Sequence, residues 1–131
     1  MDKVQALHDF WSSFGIPAYD ELTVPIEITD PDTGKLVKNE PPYITYETQL
    51  DDFDNTLYLT ASIWYRDESW AAISAKEKEI SQSIGRGGTT KHYDEGAFWI
   101  KKRSPWAQRL NDPDDDMIRR IILQYSIEFL D

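Results

Sequence analysis

Asn55-Thr56-Leu57-Tyr58-Leu59-Thr60-Ala61-Ser62-Ile63-Trp64-Tyr65 alternates without a break. Leu57, Leu59, Ala61, Ile63 and Tyr65 point one way along an extended chain. Thr56, Tyr58, Thr60, Ser62 and Trp64 point the other way. A period of two with one apolar side asks for a sheet that lays that side on a core. Tyr43 to Glu47, just upstream, is rich in β-formers, and Asp51-Asp52-Phe53-Asp54-Asn55 supplies a turn. The two segments are therefore expected to pair as antiparallel strands.

Helices are expected on both sides of that pair. Val4, Leu7, Trp11 and Phe14 recur at helical spacing, and Phe10 widens the stripe. Asp2 can cap the start, and Gly15 can take the left-handed position that ends it. A second helix is predicted over residues 68–84 with Asp67 as its N-cap. Trp70, Ile73, Glu77, Ile80 and Ile84 lie near one face, with Lys76, Lys78 and Glu79 opposite or beside it.

Thr89 to Tyr93 and Ala97 to Lys102 read as a hairpin around Asp94-Glu95-Gly96. Ser104-Pro105 reads as a break, and Trp106 to Leu110 as a short turn of helix or strand. Ile118 to Leu130 fits both periods; its Ile, Tyr and Phe content favours a strand. Residues 17–42 hold five of the seven prolines and read as irregular. Within them, Val24 to Ile28 could form a short edge strand, and Asp30-Pro31-Asp32-Thr33-Gly34 is a turn. The expected fold is one α+β domain over residues 1–131. An antiparallel sheet of about four to five strands is flanked by an N-terminal and a central helix.

Composition narrows the chemistry. The 131 residues carry 24 acidic and 14 basic side chains, a formal net charge of −10. Such a surface repels nucleic-acid phosphates. With no cysteine, thiolate nucleophiles, disulfides and Cys-based zinc sites are excluded. Met1-Asp2-Lys3-Val4 shows no signal-peptide pattern, and no apolar run approaches the roughly 20 residues that span a bilayer. These features predict a protein without membrane or specific nucleic-acid binding.

No catalytic signature emerges. There is no G-x-S-x-G elbow, and His8 and His92 are the only histidines. Asp112, Asp114 and Asp116 alternate as in a calcium loop. However, Met117 and Leu123 stand where an EF-hand needs Gly and Glu, so a solvated turn is the better reading. Asp51, Asp52 and Asp54 read the same way. Gly85-Arg86-Gly87-Gly88 follows a helix and lacks the Lys-Ser/Thr of a phosphate loop; it reads as a hinge. The expectation is a protein with no reaction, no metal and no cofactor.

Two features point to contacts with other proteins. Lys101-Lys102-Arg103 is the one dense basic cluster, and it lies close to Trp106. Tyr58 and Trp64 fall on the sheet side opposite the apolar stripe, and exposed aromatics beside Arg are enriched at protein interfaces. The candidate interface comprises Tyr58, Trp64, Arg86, Lys91, Lys101, Lys102, Arg103 and Trp106.

The order of these segments resembles the tail terminator, or head-to-tail joining, proteins of long-tailed bacteriophages. The resemblance runs through the N-terminal amphipathic helix, Pro41-Pro42-Tyr43-Ile44-Thr45-Tyr46-Glu47 and Ile63-Trp64-Tyr65-Arg66 with Ser69-Trp70. It continues through Ile84-Gly85-Arg86-Gly87-Gly88, Ser104-Pro105-Trp106-Ala107-Gln108 and the acidic loop into Ile118-Arg119-Arg120. It spans nearly the whole chain but has no catalytic motif to anchor it. It implies a ring, commonly of six copies, that caps the tail tube, stops tail growth and meets the head connector. The implied partners are the chain itself, the tail tube protein and a head completion protein. The implied location is the virion neck, with assembly in the host cytoplasm. A contact of Lys101, Lys102 and Arg103 with Asp112 to Asp116 of the next subunit would suit such a ring. Another neck or minor tail protein, or a small acidic binding module that mimics DNA, are the rival readings.

Overall fold

A computed structural model describes residues 1–51 and 55–131. The turn expected over Asp51 to Asn55 includes residues 52–54, which lie outside the described residues. The elements are α1 (Lys3–Ser12), β1 (Ala18–Asp20), β2 (Glu27–Thr29), β3 (Leu36–Lys38), β4 (Tyr43–Tyr46) and β5 (Thr56–Arg66). They continue with α2 (Ala71–Ile84), β6 (Thr89–Tyr93), β7 (Gly96–Asn111) and β8 (Ile118–Phe129). The fold is α+β, with both helices on one face of a six-stranded sheet of order β1-β4-β5-β8-β7-β6.

β5 and β8 form the centre. Eleven pairs run from Thr56↔Glu128 to Arg66↔Ile118. Because directly opposed residues share a face, Leu59, Ala61 and Ile63 lie beside Tyr125, Leu123 and Ile121. All six are buried. Against them α1 packs Ala6, Leu7, Phe10 and Trp11, and α2 packs Ile73, Ile80 and Ile84. Val4, expected in the stripe of α1, is exposed instead. Each large apolar side chain removed from water contributes about 1.5–3 kcal/mol. Trp11 stands at the junction: its ring lies 5.3 Å from Tyr125 and 6.5 Å from Tyr46, nearly parallel to the latter.

The helix ends follow local chemistry. Asp2 accepts a hydrogen bond from the Gln5 amide, as expected of an N-cap. Gly15, at φ 83°, takes the left-handed conformation that turns the chain toward β1. Lys76 of α2 donates to the Phe14 carbonyl at 2.5 Å, so a cation meets the end of α1 rather than standing free on α2.

Several expectations need correction. The sheet is mixed: β1 pairs with β4 in parallel, with Ala18 opposite Ile44. The sheet has six strands rather than four or five because β1, from the stretch read as irregular, joins the edge beside β4. Residues 17–42 are not one irregular stretch. Beyond β1 they fold back as a separate two-stranded arm, β2–β3, with Ile28 opposite Val37. The short strand expected at Val24 to Ile28 is β2, displaced to Glu27–Thr29 and paired within the arm. α2 starts at Ala71 rather than 68; Asp67 instead accepts from the Ser69 amide, and the Ser69 hydroxyl accepts from the Ala71 amide. Finally, Ser104-Pro105 does not end a strand. β7 runs through it, and the register jumps from Lys102↔Tyr125 to Ala107↔Leu123. Residues 103–106 thus bulge out of the ladder, where the missing Pro105 N–H leaves no ladder bond unmade.

Candidate interface on the open sheet face

The sheet face turned away from the helices is built by the second set of alternating residues. On β5 these are Thr56, Tyr58, Thr60, Ser62 and Trp64; across the ladder stand Glu128, Ser126, Gln124, Ile122 and Arg120. β7 adds Trp99 and Lys101, in register with Glu128 and Ser126. β4 adds Tyr43 opposite Trp64, and Thr45 opposite Ser62.

Cations lie on aromatic rings across this face. The Arg103 guanidinium sits 4.6 Å from the Tyr58 ring, Lys101 Nζ 4.2 Å from Trp99, and the Arg120 guanidinium 4.4 Å from Trp64. Contacts of this kind contribute about 0.5–1 kcal/mol each at exposed sites. Trp64 is further fixed by its indole N–H, which donates to the Thr45 hydroxyl at 3.0 Å. Tyr43 and Tyr19 continue the aromatic row toward the sheet edge, with ring centres 6.4 Å and 5.7 Å apart in succession. Arg120 is half-buried and donates to Ser62; burial draws its pKa below the ordinary guanidinium value. Tyr58 remains 64% exposed. Among the described residues, Lys101, Arg103 and Arg120 form no ion pair with a carboxylate.

The predicted interface residues divide by face. Tyr58, Trp64, Lys101 and Arg103 come together on the open side. Lys102 does not join them: alternation sends it to the helix side, where Nζ donates to the Ser81 hydroxyl at 2.8 Å. Trp106 is also set apart, half-buried against the core with its indole N–H enclosed and without an acceptor among the described residues. Lys91 stands on edge strand β6 in register with Phe98, and Arg86 is exposed in the loop after α2. Sequence reasoning missed Trp99, Arg120, Tyr43 and Tyr19. The same period of two, carried through β7 and β8, would have placed Trp99 and Arg120 beside Tyr58 and Trp64.

The acidic loop is partly engaged within the chain. Asp115 pairs with Arg66 and accepts from the Met117 amide, and its carboxyl is held below the usual range, chiefly by the Arg66 hydrogen bond. Asp112 accepts from the Asp114 amide. Among the described residues, no three histidine or carboxylate side chains converge on one point. His8 is held between the Tyr46 hydroxyl at 3.0 Å and the Ser12 hydroxyl at 3.2 Å, while His92 is exposed on β6. No helix among the described residues is long and apolar enough to cross a membrane.

No protein-family model, curated protein or solved structure matches the chain. The arrangement is therefore read on its own chemistry. An uncovered sheet face on which Tyr58, Trp64 and Trp99 lie beneath cations that form no ion pair among the described residues is a surface suited to an acidic or aromatic protein neighbour.

Proposed function

We propose that this chain is a structural protein of a long-tailed bacteriophage. It caps the tail tube, ends tail growth and joins the tail to the head connector as a ring of identical copies. The observation that carries this reading is the open sheet face, where Tyr58, Trp64 and Trp99 lie beneath Arg103, Arg120 and Lys101. A ring subunit needs two different surfaces that match each other, because its contacts run head to tail. A basic aromatic face on a chain of net charge −10 supplies one half, and the acidic remainder of the surface supplies the other. The order of segments resembling tail terminators supports the assignment to this position in the virion.

The acidity also suits a ring through which DNA passes, because like charges keep the duplex from adhering to the wall. The interruption of the acidic surface by this basic face disfavours a DNA mimic, whose carboxylates would run in stripes. The test is electron microscopy of particles from a phage lacking the gene. The expected result is abnormally long tails separate from filled heads. Normal joined particles would overturn the proposal. Tails of normal length with unjoined heads would assign the chain to another neck position.

A further inference from the structure

The arm β2–β3 leaves apolar side chains in water. Its strands pair only with each other, and alternation places Ile26, Ile28 and Val37 on one of its faces. Ile26 is 83% exposed. The segment from Glu21 to Glu40 carries five carboxylates, Glu21, Glu27, Asp30, Asp32 and Glu40, against Lys35 and Lys38. Lys38 pairs with Glu40 at the arm's base. Asp30 and Asp32, in the turn at the tip, form no ion pair among the described residues. A hairpin with an apolar face and an acidic tip thus pairs with no other strand among the described residues, and its base at Lys38 to Glu40 lines a cavity with Trp64 and Arg66. From that edge the basic aromatic face runs across β5, β8 and β7 to Lys101 and Arg103, which form no ion pair among the described residues.

We propose that the arm of one copy docks on the open sheet face of a second copy. The tip carboxylates Asp30 and Asp32 meet Lys101 and Arg103, and the Ile26–Val37 face lies toward Tyr58. Charge decides the occupant. Two copies of net charge −10 repel each other overall, so a contact between them gains most by setting an acidic surface against a basic one. Lys101-Lys102-Arg103 is the dense basic cluster of the sequence, and Lys101 and Arg103 are the two members turned to the open face. Tyr58 and Ile26 supply apolar area at the same contact, which charge pairing alone would not hold firmly. Arm and face are different surfaces, so the contact is heterologous and suits a ring. The inference rests on the ring reading for that geometry only.

The absence of cysteine permits a direct test on the full chain. Thr33→Cys marks the arm tip, Thr90→Cys marks the open face beside Trp99, and Ser83→Cys marks the exposed side of α2. Single-cysteine chains are mixed in pairs and joined with a short bis-maleimide, which captures weak contacts as well as stable ones. The expected result is a mixed dimer from the Thr33→Cys and Thr90→Cys pair in clear excess over the Thr33→Cys and Ser83→Cys pair. Lys101→Glu with Arg103→Glu in the Thr90→Cys chain should cut that yield about tenfold, since two surface pairs become two repulsions. Asp32→Lys in the arm partner should restore part of it. Equal yields from both pairs, or a yield indifferent to charge reversal, would overturn the arm assignment. Failure here with long unjoined tails in the deletion phage would leave the ring reading standing. A specific cross-link together with normal particles would keep the docking contact and remove the tail role.

Discussion

At the scale of single residues, the core holds two polar atoms whose burial has a readable consequence. The Trp11 indole N–H and the Tyr125 hydroxyl are buried beside each other, and among the described residues neither makes a hydrogen bond of good geometry. A buried hydroxyl so poorly paired opposes folding, so Tyr125→Phe should leave the urea midpoint unchanged or raise it. Trp11→Ala, which empties the space between Tyr46 and Tyr125, should cost about 3–5 kcal/mol in the same assay. Tyr93 gives a pH effect. Burial and the neighbouring Asp131 carboxylate push its pKa from 10.0 up to about 12. The unfolded chain therefore releases this proton first as pH rises. The associated stability is complete below the unfolded value and is lost as pH climbs from 10.0 toward about 12. Urea titrations across that window should show a shallower fall for Tyr93→Phe than for the wild type. A parallel fall would assign the alkaline loss to the other tyrosines.

At the scale of elements, the connection from α2 into β6 is a tight joint. Gly88 has φ 85°, and a Cβ there would lie 2.5 Å from the Ile100 carbonyl oxygen and 2.7 Å from Trp99 Nε1. Gly88→Ala combines a strained backbone with a collision against β7, so it should destabilise by about 2 kcal/mol or more, as read from the thermal or urea midpoint. The glycine was legible in the sequence as a hinge, but the close approach of β7 was not. The same divide runs through the fold. β5 declared its faces because its alternation is long, whereas β8 fits both periods and was legible as a strand only through its Ile, Tyr and Phe content; α1 declared its buried side through Leu7, Phe10 and Trp11. Ala18-Tyr19-Asp20 is too short to show a period, and its parallel pairing is set by where α1 returns the chain to the sheet. Ser104-Pro105 signalled a break because proline cannot donate to a ladder. The bulge of residues 103–106 is a tertiary solution that no local pattern announces. Alternation turns Lys102 to the helix side and the bulge sets Trp106 apart, so two of the three residues of the predicted basic cluster reached the open face.

At the scale of the whole molecule, a surface used for assembly should be separable from the forces that hold the fold together. Tyr58 and Arg103 provide the test. Tyr58 is largely exposed, and Arg103 lies over its ring without an ion pair among the described residues. Replacing both with alanine removes one cation–aromatic contact and creates no cavity in the core. The folded chain should therefore lose only about 1 kcal/mol or less. Tyr and Arg are also the residue types that dominate binding energy at protein interfaces, where truncation commonly costs about 2 kcal/mol or more. The double variant should keep its far-ultraviolet circular dichroism and nearly all its thermal midpoint. Supplied in trans to a phage lacking the gene, it should yield far fewer joined particles than the wild-type chain does. If it folds normally and restores joined particles in full, the open face is not the assembly surface. If the thermal midpoint collapses, the Tyr58–Arg103 contact belongs to the fold, and the two-layer reading of the sheet is wrong at that point.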